Sequence, residues 1–138
     1  MDDKFRDDRV CFVCGEKNPF GMKLRLRTDP ERGESASEVT FAEHFQGWAG
    51  IVHGGLVATV LDEAMIYAAG AKGFKCVTGE MTVRYVHPAS TGIAYTLKGR
   101  LVEDQGRIVL AESFLFDGEG QEVAWASGKL FKIDRSDP

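Results

Sequence analysis

Along the chain, short stretches in which apolar and polar residues alternate flank one long run that is almost entirely apolar. Residues 22–28 alternate Met22, Leu24 and Leu26 with Lys23, Arg25 and Arg27, the pattern of a half-buried strand. Asp29, Pro30 and Gly33 supply turn chemistry, and residues 34–41 form a second predicted strand with Val39 and Phe41 on its buried face. A connection over 42–52 carries Gly47, Trp48 and Gly50. From Leu56 to Ala69 only Thr59, Asp62 and Glu63 interrupt the apolar residues, which occupy nearly the whole helical circumference, so the predicted helix is a buried one. Gly54 and Gly55 open it, and Gly73, after Ala71 and Lys72, is placed to cap its C-terminus.

Alternation resumes over 76–87, with Val77, Met81, Val83 and Tyr85 predicted on one face and Thr78, Glu80, Thr82 and Arg84 on the other, until Pro88 ends the strand. Three further strands are predicted over 93–103, 107–117 and 121–133. Hairpin-type turns at 104–106 and 117–120 join them. The order β-β-α-β-β-β-β, one buried helix against a long antiparallel sheet, is an α+β architecture.

Composition narrows this picture. A length of 138 residues suits a single domain able to bury an ordinary core; we divide it into a lead-in loop over 1–21 and the domain proper over 22–138. The net charge of -4 argues against a nucleic-acid partner, which calls for a basic surface. The apolar run holds two carboxylates and falls short of the ~20 residues a membrane span needs, so no span is expected. The N-terminus is charged and lacks a signal-peptide core. Three cysteines are too few and too uneven for a disulfide framework, which makes a reducing cytoplasm the expected location.

Cys11 and Cys14 form a C-x-x-C. A tetrahedral structural zinc takes four ligands, and the remaining Cys76, His44, His53 and His87 include no second pair at knuckle spacing. The segment Asn18-Pro19-x-Gly21 reads as a turn rather than the start of a redox helix. The expectation is a small N-terminal loop with partly buried thiols, with no metal and no organic cofactor.

The chemistry concentrates at the helix start. Its first backbone N–H groups have no partner inside the helix, and glycines there let a ligand oxygen come close. A buried helix rarely carries a carboxylate such as Asp62 without pairing it or using it. Asp62 follows Gly55 by seven residues, on the same face but roughly 10 Å away along the axis. One small reacting group cannot touch both. If both act on one carbonyl, the second group comes from another copy of the helix, which implies a homodimer with shared sites.

The chain resembles the hotdog-fold acyl-CoA thioesterases, specifically the phenylacetate-pathway thioesterase-like group. The resemblance is carried by His53-Gly54-Gly55 at the helix opening, Asp62 nine residues after the histidine, Thr78 sixteen further on, and the strand end Tyr85-Val86-His87-Pro88. The lead-in Cys11-Phe12-Val13-Cys14-Gly15 with Asn18-Pro19-x-Gly21 is similar to one found in part of the superfamily. The resemblance implies a curved antiparallel sheet wrapped round the central helix, two subunits joined edge to edge, and in many members a dimer of dimers. It implies an acyl-CoA substrate at the dimer interface, with a glycine N–H from one subunit and the acid from the other. Asp62 would be general base or nucleophile, and Thr78 its neighbour. His53 would fix the turn or polarise the carbonyl. Trp48, Arg84 and His87 are candidates for substrate contacts. In one branch an Asn or Gln precedes the catalytic glycine by seven residues; here that position is Gly47, with Gln46 one residue off register.

Structural readings of the same residues stay open: His53 as a helix cap, the glycines as packing devices, Asp62 as a paired carboxylate, Glu63 in an ion pair. Two other functions also remain, a hydratase or dehydratase of acyl thioesters and a non-catalytic acyl-thioester binding protein.

Overall fold

The computed structural model describes residues 5–133, so the outer ends of the expected lead-in 1–21 and domain 22–138 lie outside the described residues. In chain order it contains β1 (Arg27–Asp29), β2 (Glu34–Thr40), a 3-10 turn (Glu43–Phe45), α1 (Gly54–Ala71), β3 (Cys76–Tyr85), β4 (Ala94–Asp104), β5 (Ile108–Phe116) and β6 (Glu122–Lys132). All pairings are antiparallel, in one six-stranded sheet of order β1-β2-β4-β5-β6-β3. One long helix packed on one antiparallel sheet is the hotdog arrangement expected from the sequence. No helix among the described residues is long and apolar enough to cross a membrane.

The helix buries one face fully, while Thr59, Asp62, Glu63 and Ile66 on its other side are half-buried. Val57, Val60, Leu61, Ala64, Met65, Ala68 and Ala69 are all buried against the sheet. The chain leaves the helix at Lys72, and Gly73 takes φ +86°, the left-handed conformation that the C-terminal cap requires. Helix and sheet approach most closely at Gly99 of β4, where an added Cβ would lie 2.2 Å from the Ala64 carbonyl oxygen. Beside it the Ser35 hydroxyl of β2 donates to the same Ala64 oxygen at 2.6 Å. That oxygen lies in the helix middle, so a strand hydroxyl and a missing side chain together set the spacing between the two layers.

Two expectations change. The first strand was expected over 22–28, but only Arg27–Asp29 joins the sheet. The alternation upstream holds, with Leu24 buried between exposed Lys23 and Arg25. Its ladder partner is the lead-in instead, since Met22 N–H donates to Phe12 O and Leu24 N–H to Val13 O, both at 2.8 Å. Val13 thereby enters the core. The second change is in β3. A β-bulge falls between Thr78 and Glu80, and one extra residue reverses the inward and outward phase. Cys76 and Thr78 therefore turn inward while Val77 is exposed, opposite to the faces predicted for them. Met81 and Val83, beyond the bulge, point inward as expected. The bulged residue is Gly79, where a Cβ would run into the Phe131 ring.

Gly99→Ala should lower unfolding free energy by about 1–3 kcal/mol, the usual cost of overpacking, whereas Gly118→Ala, where an added Cβ meets nothing within 4 Å, should change little. Urea unfolding of both variants checks this, and equal stability for the two would contradict the close approach.

Candidate active site

The helix N-terminus has one open donor. His53 is the N-cap, and its Nδ1 accepts the Gly55 N–H at 2.9 Å. Its carbonyl accepts Leu56 N–H at 2.9 Å and Val57 N–H at 3.2 Å. Gly54 N–H is left without a partner among the described residues. Of the two glycines the sequence offers, Gly55 is thus committed to the cap and Gly54 is free to bind. On the carbonyl side of the same residue the Tyr85 hydroxyl donates to Gly54 O at 2.8 Å, which ties the end of β3 to the helix start.

The two glycines also differ sterically. A Cβ at Gly55 would sit 3.2 Å from His53 Nδ1, crowding the cap, whereas at Gly54 it would meet only the Tyr85 ring at 3.5 Å, an ordinary contact. Neither glycine has a positive φ. The fold of the described chain therefore does not demand glycine at 54, and the missing side chain leaves room in front of the free N–H.

That room is a pocket of about 780 Å³, within the range of small-molecule sites. Gly54, His53, Gly47, Trp48 and His87 line it, with apolar walls from Val52, Val57, Val86, Ala89 and Val123. Trp48 is 85% exposed, an unusual position for so large an apolar group unless a ligand or another chain covers it. The Gln46 carboxamide, one residue from the position where a related branch has an amide, accepts the Gly50 N–H at 2.9 Å and so closes its own loop. His87 Nε2 lies 3.2 Å from the Gln121 amide nitrogen.

Asp62 stands apart from this pocket. Eight residues separate it from Gly54, about 12 Å of helix. Thr78 Oγ1 donates to Asp62 Oδ1 at 2.5 Å. The bulge at Gly79 makes this contact possible, because regular alternation would turn Thr78 away from the helix. Oδ2 of Asp62 has no hydrogen-bond partner among the described residues, so the carboxylate is held by one oxygen and presents the other.

Glu63 faces elsewhere. Its Oε2 lies 3.7 Å from Cys11 Sγ. Burial raises its pKa above the usual carboxylate range, against the opposing hydrogen bond from Cys14. Burial also pushes the Cys14 thiol up to about 12, with the hydrogen bond to Glu63 adding to the rise. Tyr67, beside Cys14, is raised by burial as well. Glu63 is therefore the helix's link to the lead-in rather than part of the pocket.

The structure thus brings His53, Gly54, Trp48 and His87 together and pairs Asp62 with Thr78 at a second place. Arg84 joins neither group; its guanidinium lies over the Trp125 ring, 5.8 Å from the centroid. Sequence reasoning assigned Tyr85 to an apolar face and missed its hydroxyl contact; its place at the end of β3, next to His87-Pro88, was the available signal. The link between Glu63 and the two cysteines had no signal in spacing, since 52 residues separate Cys11 from Glu63.

Comparison with known proteins bears on the family and the fold. The family model described as the thioesterase superfamily matches residues 49–124, more than half of the chain. A protein of Saccharolobus solfataricus named as an esterase, SSO1253, is 30% identical over 71% of this chain and 66% of its own length. Among solved structures, the thioesterase superfamily protein RHA08564 superimposes with a TM-score of 0.83 at 28% identity, over 91% of this chain and 61% of that one. The chain thus spans slightly less than two thirds of the length of these two proteins. Streptococcus mutans smu.793, solved bound to acetyl CoA, has a TM-score of 0.75 at 21% identity, over 83% of this chain and 91% of that one. The E. coli PaaI protein of the phenylacetic acid degradation operon shares the fold, with a TM-score of 0.75 at 17% identity over 80% of this chain and 84% of that one.

His53→Ala should cost about 1 kcal/mol of stability, the usual value of an N-cap, while His53→Asn, which keeps an acceptor for the Gly55 N–H, should recover most of it. Denaturant unfolding distinguishes the two, and equal losses would contradict the capping role.

Proposed function

The chain belongs to the thioesterase superfamily, and we propose that it hydrolyses acyl-CoA thioesters at sites shared by two copies of the chain. The observation that carries this reading is that the helix offers two separate chemical groups, one at its N-terminus and one at its middle. One is an unpartnered N–H in an apolar pocket at Gly54; the other is a carboxylate held through one oxygen at Asp62. Their separation suits two different subunits meeting at one carbonyl. The acetyl CoA found in the smu.793 structure supports coenzyme A thioesters as the ligand class.

In this reading the thioester oxygen accepts the Gly54 N–H, assisted by the positive end of the helix. The acyl group lies along the apolar walls. Asp62 of a second copy takes a proton from water as the water oxygen attacks the carbonyl carbon. The tetrahedral intermediate carries its negative charge at the Gly54 N–H. Its collapse breaks the C–S bond, and the thiolate leaves with the proton that Asp62 held. Direct attack by the carboxylate, giving a mixed anhydride that water then cleaves, uses the same residues. Thr78 serves both routes by fixing Oδ1 and leaving Oδ2 to react. Edge strand β3, open on the side away from β6, suits the edge-to-edge pairing of two sheets. A homodimer, or a dimer of dimers, follows.

Thiol release over a panel of acyl-CoAs tests the activity. Binding without thiol release, or hydration of an enoyl-CoA in its place, would overturn the assignment. Asp62→Asn should lower turnover at least about a hundredfold, the low end of acid–base contributions, with the fold retained. Glu63→Gln should cost turnover far less. A well-folded, fully active Asp62→Asn protein would exclude the carboxylate mechanism. Gly54→Ala should keep the thermal midpoint, since an added Cβ meets only the Tyr85 side chain at an ordinary distance, yet turnover should fall at least about tenfold, roughly 1.4 kcal/mol of barrier. Undiminished turnover in that variant would remove Gly54 N–H from the mechanism.

A further inference from the structure

We propose that Cys11, Cys14 and Glu63 form a zinc site that clamps the N-terminal lead-in to the central helix. The three residues offer one ligand atom each, and these atoms lie within 4.8 Å of one another. Tetrahedral zinc bound by thiolate and carboxylate spaces its ligand atoms about 3.5–3.8 Å apart, from bond lengths of roughly 2.3 and 2.0 Å. The distance from Cys11 Sγ to Glu63 Oε2, 3.7 Å, already falls in that interval. Two thiolates favour zinc over magnesium or calcium, which take oxygen ligands. Three protein ligands leave the fourth corner to water.

The turn that carries the cysteines is built as a metal knuckle would be. Gly15 N–H donates to Cys11 O at 2.8 Å. A Cβ at Gly15 would lie 2.3 Å from Cys11 N, so only glycine follows Cys14 in this turn. Val13 N–H points at Cys11 Sγ from 3.4 Å, the kind of outer-shell donor that supports a bound thiolate. The turn is also anchored, through buried Val13 and the Leu24 N–H to Val13 O bond. Two thiols and a carboxyl group are gathered in one place, and zinc would replace the thiol protons, which pass to solvent. Spacing along the sequence hides such a site, because its third ligand is a helical glutamate rather than a second cysteine pair.

The test uses the full chain, reduced and freed of metal by chelator, titrated with zinc against a chromophoric competitor and separately with cobalt(II). One zinc per chain is expected, and thiolate-to-cobalt charge-transfer absorption in the near ultraviolet. Cys14→Ser and Glu63→Gln should each weaken zinc binding by more than about tenfold, the low end of what loss of an outer-shell partner alone costs. Cys76→Ser, at the buried cysteine outside the cluster, should leave affinity unchanged. Cys11→Ser, at an exposed position, provides a variant whose fold circular dichroism can verify. No charge-transfer band in the reduced wild-type chain would reduce the cluster to thiol–carboxyl hydrogen bonds. Wild-type affinity in folded Cys11→Ser, or in Glu63→Gln, would equally overturn the site.

Discussion

Eight helical steps separate the Gly54 amide from the Asp62 carboxylate, and a helix rising about 1.5 Å per residue cannot bring them together. The other features of the molecule are arranged around that fixed distance. The helix is packed so that it cannot bend away from it: Ser35 and Gly99 hold its middle against β2 and β4, Tyr85 fastens its first residue, and Gly73 ends it. Each of the two groups then receives its own supporting contacts. His53 uses up the Gly55 N–H and leaves that of Gly54, while Thr78 uses up one carboxylate oxygen and leaves the other. The helix therefore carries one open donor and one open acceptor that face different surroundings, which is what the proposed shared sites require.

Glycine at 54 is informative because the fold gives it no reason. The positions at 15, 79 and 99 each face a contact far shorter than a Cβ tolerates, so their glycines are explained by packing. Gly54 faces only the Tyr85 ring, at ordinary distance. A glycine without a packing need leaves its backbone open to close approach, as the proposed thioester contact at Gly54 requires.

Much of this was legible in the sequence. The buried helix was announced by apolar residues on every side of it, and its limits by glycines at both ends. The hairpins came from Asp-x-Gly turns. Two features escaped for definite physical reasons. Alternation assumes an unbroken ladder, so the bulge at Gly79, which the Phe131 ring of the neighbouring strand makes room for only at a glycine, inverted the faces assigned to Val77 and Thr78. The basic alternation of 22–28 was real, but its hydrogen bonds went to a loop rather than a strand, and periodicity does not identify a partner. Among the candidate residues, His53, Gly54, Trp48 and His87 line one pocket, whereas Arg84 lies across Trp125. The tie between Glu63 and the lead-in joins residues far apart in sequence and could be seen only once the chain was folded.

The account stands on sites completed by a second chain, and subunit mixing addresses that directly. Asp62→Asn and Gly54→Ala chains, each strongly impaired alone, would be combined under conditions of demonstrated subunit exchange and assayed for thiol release. A hybrid dimer retains one intact site, formed by Gly54 of the first chain and Asp62 of the second. Random pairing should therefore restore about a quarter of wild-type activity. Full exchange with no recovery, or a stable monomer with wild-type turnover, would contradict it.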